Sequence, residues 1–519
     1  MLDTIDNVQL WLPRQWAVHA QFRRNKTAVI CGDRRLTWEE MNQGMNRIAN
    51  ALLARGAGRG TKVAVLMSNS IEMLLVMGGI AKAGACMVPL STMLKPDQIA
   101  MLLNDSGSEM VFVSASARGL VEDRAKLTSV RKDGFISTDF SDDGWETLEA
   151  FTAGASAEEP KVAYDLDDDF NIIYSSGTTG IPKGIVHSHR ARQHWSYSNA
   201  VEMGIDDRAV CLVTTALYSN GTWFMVLPPL MAGATIIIMK SFSPGEFLET
   251  VERERVTHTF VVPAQCIMML EHPDCGKRDL SSLRMMLSAG SSLRLDTREQ
   301  VEARLTPNLY ELYGFSEGFA TIVKPGQSEN KPGTVGRPVL GFDMVILDDK
   351  GNVLPAGEPG EIAGWGPGLM TRYHNRPEQT AELIWRDPLG RSFLRGGDVG
   401  KVDEDGFLYI LDRKKDMIIS GGFNIFPTDI EEVVGRHPDV LDVTVIGVPH
   451  PKWDETPLAL VIPRDPAKAD AEAILTWANE RLAKTQRLSG VEFRSEFPRN
   501  ALGKVLKREL REPYWQEKK

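Results

Sequence analysis

Cysteine is scarce in this chain: Cys31, Cys86, Cys211, Cys266 and Cys275 form no C-x-x-C pair and are an odd, sparse set for 519 residues. A reducing compartment suits such a set, and the expected location is the cytoplasm. A basic excess is missing too. With a net charge of −10 the chain is not expected to bind nucleic acid, and an anionic substrate must be met by local cations. The acidic start Met1-Leu2-Asp3-Thr4-Ile5-Asp6 has no basic segment followed by an apolar one, so no secretory signal is read there. The stretch without charge from Cys211 to Met239 is long enough for a membrane span, but Asn220, Gly221, Pro228, Pro229 and Gly233 break it. It reads as a loop, a short helix and a buried strand of a parallel sheet, with no membrane span.

What is present in quantity is core material. Hydrophobic residues make up 43% of the chain, ample for large buried cores, and 519 residues suit about two to four domains. From Trp38 to Val113, helical periodicity alternates with apolar runs such as Lys62–Met67 and Ala85–Leu90, and from Arg190 to Gly314 a second series does the same. The fold class expected is α/β, with two α/β lobes of parallel strands. From Val335 to Tyr409 short strands alternate with turns such as Asp348–Asn352 and Asp403–Gly406, which reads as a β-rich subdomain. The charged run Asp412-Arg413-Lys414-Lys415-Asp416 then punctuates the chain. The expected organisation is an N-terminal domain of residues 1–413 hinged to a small C-terminal α/β domain of residues 414–519.

The run Tyr174-Ser175-Ser176-Gly177-Thr178-Thr179-Gly180-Ile181-Pro182-Lys183-Gly184 packs hydroxyls, glycines and one cation into a loop of phosphate size between two apolar strands. A Walker P-loop would end in G-K-[ST] and enter a helix, whereas here Pro182 precedes the lysine, Gly184 follows it and a strand comes next. The loop handles a nucleotide by another fold.

Four further segments follow in order: Tyr313-Gly314-Phe315-Ser316-Glu317, Arg395-Gly396-Gly397-Asp398, Asp412 through Ile425, and Pro498-Arg499-Asn500-Ala501-Leu502-Gly503-Lys504. Together with Leu36-Thr37-Trp38, Lys331–Gly336 and Tyr373–Thr380, they resemble the adenylate-forming superfamily of acyl-CoA synthetases, 4-coumarate-CoA ligases, peptide-synthetase adenylation domains and luciferase. The resemblance spans nearly the whole chain. It implies ATP-dependent activation of a small-molecule carboxylic acid to an acyl-adenylate, then thioester formation with coenzyme A. It further implies that Ser175, Ser176, Gly177, Thr178, Thr179, Gly180 and Lys183 hold the phosphates, that Glu317 holds Mg²⁺, and that Ser316 replaces a threonine contacting phosphate. Tyr313 would stack on adenine, Asp398 would take the ribose hydroxyls with Arg413 assisting, and Lys504 would bridge carboxylate and α-phosphate. Lys415 matches the hinge, and Gly421 and Gly422 would face the coenzyme A channel. The acid pocket would include Tyr218, Ser219, Asn220, Trp223, Ala289, Gly290 and Gly314. Many relatives carry a histidine where Ser219 stands.

The pocket lining reads as apolar with no second cation, which favours a hydrophobic monocarboxylic acid, fatty or aryl. Because the chain ends at Lys519 without a carrier domain, free coenzyme A is the expected acceptor, with a separate carrier protein the alternative. Lys504 is also a candidate target for a lysine acetyltransferase, since acetylation would remove its charge. Gly314-Phe315-Ser316-Glu317-Gly318 matches the G-x-S-x-G elbow of α/β-hydrolases, so an esterase using Ser316 is the rival reading from another class. His187, His189 and His194 cluster without an acidic or cysteine ligand at useful spacing, and packing explains them better than a metal.

Overall fold

The structure, a computed structural model, describes residues 10–175, 182–327, 329–420, 423–499 and 505–516. The chain forms two compact units. The first comprises Met1–Ser328, Pro338–Asp343 and Trp365–Glu382, and the second Glu329–Arg337, Met344–Gly364 and Leu383–Lys519.

The first unit holds two large sheets. In one, strand Lys62–Leu66 lies between Cys86–Pro89 and Ser108–Val113, parallel to both, with Val63 opposite Met87 and Val65 opposite Phe112. The apolar residues of these strands are buried on both faces, which is why they read as continuous apolar runs. Cys86–Pro89 pairs with Asp169–Ser175, which turns back antiparallel into Lys183–Ser188, and Arg372–Tyr373 adds along the far side. The candidate phosphate loop thus joins two neighbouring antiparallel strands near one side of this sheet.

The second sheet runs in the order Ala320–Val323, Leu309–Gly314, Met285–Ser288, His258–Val261, Val210–Val213, Thr235–Ile238, Thr27–Cys31, Arg34–Thr37. Its middle is parallel, as the second helix and strand series foretells. The two series are not segregated, however. Thr27–Cys31, near the start of the chain, pairs in parallel with Thr235–Ile238 through Val29 opposite Ile236. Helix Trp38–Ala54 follows with a capping box, Thr37 Oγ1 accepting from Glu40 N at 3.2 Å and Glu40 Oε2 accepting from Thr37 N at 2.8 Å.

The second unit contains an antiparallel sheet of Ile384–Arg386, Ser392–Val402 and Leu408–Arg413, joined by the section Met344–Leu347 and Gly360–Gly364. The turns read from the sequence are present: Asp348 N bonds Asn352 O at 2.9 Å and Asp403 N bonds Phe407 O at 3.0 Å. The same unit continues through residue 413 into a long hairpin, Val440–His450 with Asp454–Pro463, and a parallel strand Gly490–Phe493. Ile418, Ile430, Val434, Val445, Val461 and Ile474 form its core against helices Pro427–Val434 and Ala471–Arg481.

Candidate active site

The mouth of the phosphate loop is defined by Ser175 and Lys183, which face each other across the hairpin; Ser176, Gly177, Thr178, Thr179 and Gly180 lie outside the described residues. Lys183 Nζ stands 4.9 Å from the centroid of the buried Tyr373 ring. The Tyr373 hydroxyl in turn donates a hydrogen bond to the Glu317 carboxylate. Burial, and then the Glu317 charge, push the Tyr373 phenol well above its ordinary value, so it stays a donor. One side chain therefore connects the phosphate-loop cation to the carboxylate read as the magnesium ligand. The loop stem is held from the same segment: Tyr174 OH donates to Asp105 Oδ2 at 2.7 Å, and Arg376 Nη2 meets Asp105 Oδ1 at 2.9 Å. Gly184 permits this closeness, since a Cβ there would lie 2.8 Å from Ile172 Cγ2 and 3.1 Å from His374 Cβ.

Glu317 sits in a tight turn after strand Leu309–Gly314. Gly318 N bonds Phe315 O at 2.9 Å, and Met370 N bonds Glu317 O at 2.6 Å. Gly318 has φ of 115°, a conformation open to glycine and strained for other residues. The chain then returns as the antiparallel strand Ala320–Val323, with Gly314 opposite Ala320. A nucleophile elbow passes from strand into helix, so this turn lacks the context the rival hydrolase reading requires. Ser316 is exposed, and its carbonyl accepts from Asn220 Nδ2 at 3.4 Å.

Asn220 opens a short helical turn, Asn220–Met225, that carries Trp223. Trp223 is fully buried, its indole N–H donating to Leu217 O at 2.8 Å. Ser219 is buried beside it, Tyr218 is half-buried, and Ala289 and Gly290 follow strand Met285–Ser288. Glu311 on the neighbouring strand is paired with Arg298 at 2.7 Å, and burial raises its carboxyl. Behind these residues the buried Arg192 guanidinium meets Asn220 Oδ1 at 2.7 Å and lies 4.7 Å from the Trp223 ring. A lone arginine on a helix reads as surface in a sequence.

The three histidines turn to three different neighbours. His187 Nδ1 faces Arg192 Nη2 at 3.3 Å, His189 Nδ1 accepts from Trp11 Nε1 at 2.9 Å, and His194 Nδ1 meets Tyr197 OH at 2.9 Å. Among the described residues no group of three histidine, cysteine or acidic side chains could hold a metal by itself. Glu317, a single carboxylate steadied by a phenol, suits a hard cation such as Mg²⁺ that completes its shell with substrate phosphates and water.

In the second unit, Asp398 and Arg413 oppose each other on adjacent strands, with Arg413 Nε 3.2 Å from Asp398 Oδ1. Lys414 is tied to Glu361 at 3.2 Å and Asp349 at 3.1 Å, and the Lys415 carbonyl accepts from Arg511 Nη1 at 3.1 Å. Gly421, Gly422 and Lys504 lie outside the described residues. Their flanks are described: Leu506 N bonds Pro498 O at 2.8 Å, and Lys507 Nζ meets Glu431 Oε1 at 2.7 Å.

Comparison with known proteins agrees with the motif order. Residues 16–374 match the AMP-binding enzyme family and residues 429–504 match the AMP-binding enzyme C-terminal domain; the chain belongs to the AMP-binding enzymes, the adenylate-forming superfamily. It is 34% identical over 484 residues to the long-chain-fatty-acid–CoA ligase FadD13 of Mycobacterium tuberculosis, covering 93% of this chain and 94% of that one. It is likewise 34% identical over 503 residues to a feruloyl-CoA synthase of Amycolatopsis sp, covering 96% and 98%. Among solved structures, ATP-bound MatB from Rhodopseudomonas palustris superposes with a TM-score of 0.88 at 29% identity, over 98% of this chain and 100% of that one. No helix among the described residues is long and apolar enough to cross a membrane.

Proposed function

We propose that the protein is an AMP-forming acid–CoA ligase acting on a hydrophobic monocarboxylic acid, fatty or aryl. The observation that carries this reading is the chain of contacts from Lys183 through Tyr373 to Glu317 at the mouth of the phosphate loop. It supports a site for a polyphosphate, in a chain whose relatives include a fatty-acid and a feruloyl-CoA ligase.

In the first half-reaction an oxygen of the acid attacks the α-phosphorus of ATP and the bond to the pyrophosphate oxygen breaks. Two anions must meet, so charge neutralisation and exclusion of water dominate. Ser175 and Lys183, with the hydroxyls and glycines from Ser176 to Gly180, would hold the phosphates, and Tyr373 would keep the Glu317 carboxylate aimed. Mg²⁺ bound at Glu317 would supply Lewis acidity to the phosphates. Tyr313 would stack on adenine, Asp398 and Arg413 would take the ribose, and Lys504 would stabilise the oxygen charge. In the second half-reaction the thiolate of coenzyme A attacks the acyl carbon and AMP leaves. The boundary at residues 413 and 414 would act as a hinge at Lys415, bringing Gly421 and Gly422 to the pantetheine arm. A cytoplasmic site of action is favoured by five free thiols. A lysine acetyltransferase acting on Lys504 would silence the first half-reaction.

The test is acid-dependent pyrophosphate release over straight-chain, branched and aryl acids, with acyl-CoA followed by mass. Acid-dependent release that yields acyl-CoA supports the reading. Release without acyl-CoA formation overturns it in favour of a carrier-protein acceptor, and ester hydrolysis without ATP overturns it in favour of a hydrolase.

A further inference from the structure

Arg192 is 1% exposed and sits in the first turn of helix His189–Met203, whose N-cap Ser188 accepts from Ala191 N. Its Nε donates to Asn171 Oδ1 at 2.7 Å, on the strand that leads into the phosphate loop. Its Nη2 donates to Asn220 Oδ1 at 2.7 Å and faces His187 Nδ1 at 3.3 Å. The Trp223 and Trp195 rings lie 4.7 and 5.5 Å from its central carbon. Among the described residues none of these partners is a carboxylate. Among the described residues the charge is met by amide carbonyls, an imidazole nitrogen and ring faces, an expensive arrangement for a buried cation. Burial pushes the guanidinium down to about 9, and burial with the nearby cation pushes His187 well below its ordinary value. His187 is thus neutral and presents the Nδ1 lone pair to Arg192.

What the charge imposes is orientation. A guanidinium only donates, so the Asn220 amide must turn its oxygen toward Arg192 and its NH₂ toward the Ser316 carbonyl, 3.4 Å away. The same guanidinium rests on the face of Trp223, whose edge is fixed by Leu217. Two residues of the proposed acid pocket are therefore set by one side chain outside it. We propose that Arg192 is a specificity-determining residue that positions the acid pocket through Asn220 and Trp223. This rests on the acid–CoA ligase reading above.

The test compares Arg192→Met, Arg192→Lys and Asn220→Ala with the wild type in ATP-dependent pyrophosphate release, measuring KM for each acid and for ATP. Arg192→Met should raise KM for the preferred acid about tenfold and change the rank order of acids, with KM for ATP moving less than about twofold. Asn220→Ala, which leaves the other Arg192 contacts in place, should shift the rank order in the same direction. Arg192→Lys, which keeps the charge but not the fork, should fall between. If Arg192→Met does not fold, the other two variants decide. An unaltered rank order in both, or equal rises in KM for ATP and for every acid, would overturn the inference alone. A wild type that releases no pyrophosphate with any acid would instead overturn the ligase reading, and the inference with it.

Discussion

Tyr373 shows what a single residue contributes that a motif does not announce. It stands in the run Tyr373–Thr380 that helps identify the family, but its hydroxyl reaches Glu317 and its ring faces Lys183, contacts that span long stretches of sequence and leave no local pattern. Glu317, Asp398 and Arg413 can be nominated from sequence because each sits in a short run of fixed order; the contacts of Tyr373 and Arg192 cannot, because an aromatic or an arginine alone reads as packing or surface. Tyr373→Phe keeps the ring against Lys183 and removes only the donor to a carboxylate. Such a bond is worth about 1.5 to 3 kcal/mol, so kcat/KM for pyrophosphate release should fall by about 10- to 150-fold. Tyr373→Leu, which loses the ring as well, should fall further. Wild-type kinetics in Tyr373→Phe would remove this residue from the site. For Lys504→Ala the expectation is loss of about 100-fold or more in acyl-adenylate formation, with thioester formation from supplied acyl-adenylate retained. Equal losses in both half-reactions would sink its assignment.

At the scale of elements, the alternation of helices and apolar runs gave the central parallel strands such as Lys62–Leu66, Val210–Val213 and Met285–Ser288 to within a residue, because strands buried on both faces must be apolar throughout; the short parallel strands Phe135–Ser137 and Glu146–Thr147 carry no such run and were not read. The pairing of Thr27–Cys31 with Thr235–Ile238 was not readable, since nothing local marks which distant strand a five-residue segment will meet. A second long-range tie was equally silent. Lys82, buried at the end of helix Ile71–Lys82, meets Glu159 Oε2 at 2.7 Å, and Asn42 and Asn46 also donate to that half-exposed carboxylate. The pair fastens the segment that leads into the phosphate-loop strand. Burial lowers Lys82 to about 8 against an ordinary value of 10.5, so between those values the unfolded chain binds the extra proton and this group adds stability as pH rises. Glu159→Gln leaves a buried ammonium without its anion, whereas Lys82→Met leaves a carboxylate that water can reach. Glu159→Gln should therefore cost more, about 2 kcal/mol against about 1 after discounting for the exposure of Glu159. Its cost should shrink between about pH 7 and about pH 9.5, as Lys82 gives up its proton. Denaturant midpoints at the two pH values check this, and a cost independent of pH would show that the pair is not ionic.

For the whole molecule, the two half-reactions would make conflicting demands, because Lys504 in its proposed role would have to withdraw from ATP and acid before a thiol could enter. The chain passes from the β-rich sheet to the C-terminal hairpin through residues 413–416, and that passage is short and tied on both sides. Lys414 is held by Glu361 and Asp349 on the sheet side; Asp412 is buried and accepts from Thr428 N at 3.1 Å, and Arg511 donates to the Lys415 carbonyl. Thr428 and Arg511 thus reach back onto the passage, and a hinge at Lys415 would have to release or carry these contacts as it turns. Lys415→Pro tests it. Proline retains the carbonyl that Arg511 reaches but fixes φ near −65°, so one backbone arrangement can persist while interchange is blocked. Acid-dependent exchange of pyrophosphate into ATP should stay within about threefold of wild type, while acyl-CoA formation falls about 100-fold, a barrier increase of about 2.7 kcal/mol. The two rates should be measured on the same preparation with the same acid. If acyl-CoA formation survives, residue 415 is not where the chain bends; if exchange is lost in equal measure, the substitution has damaged the site for the first half-reaction and the hinge must be sought on the other side of Asp416.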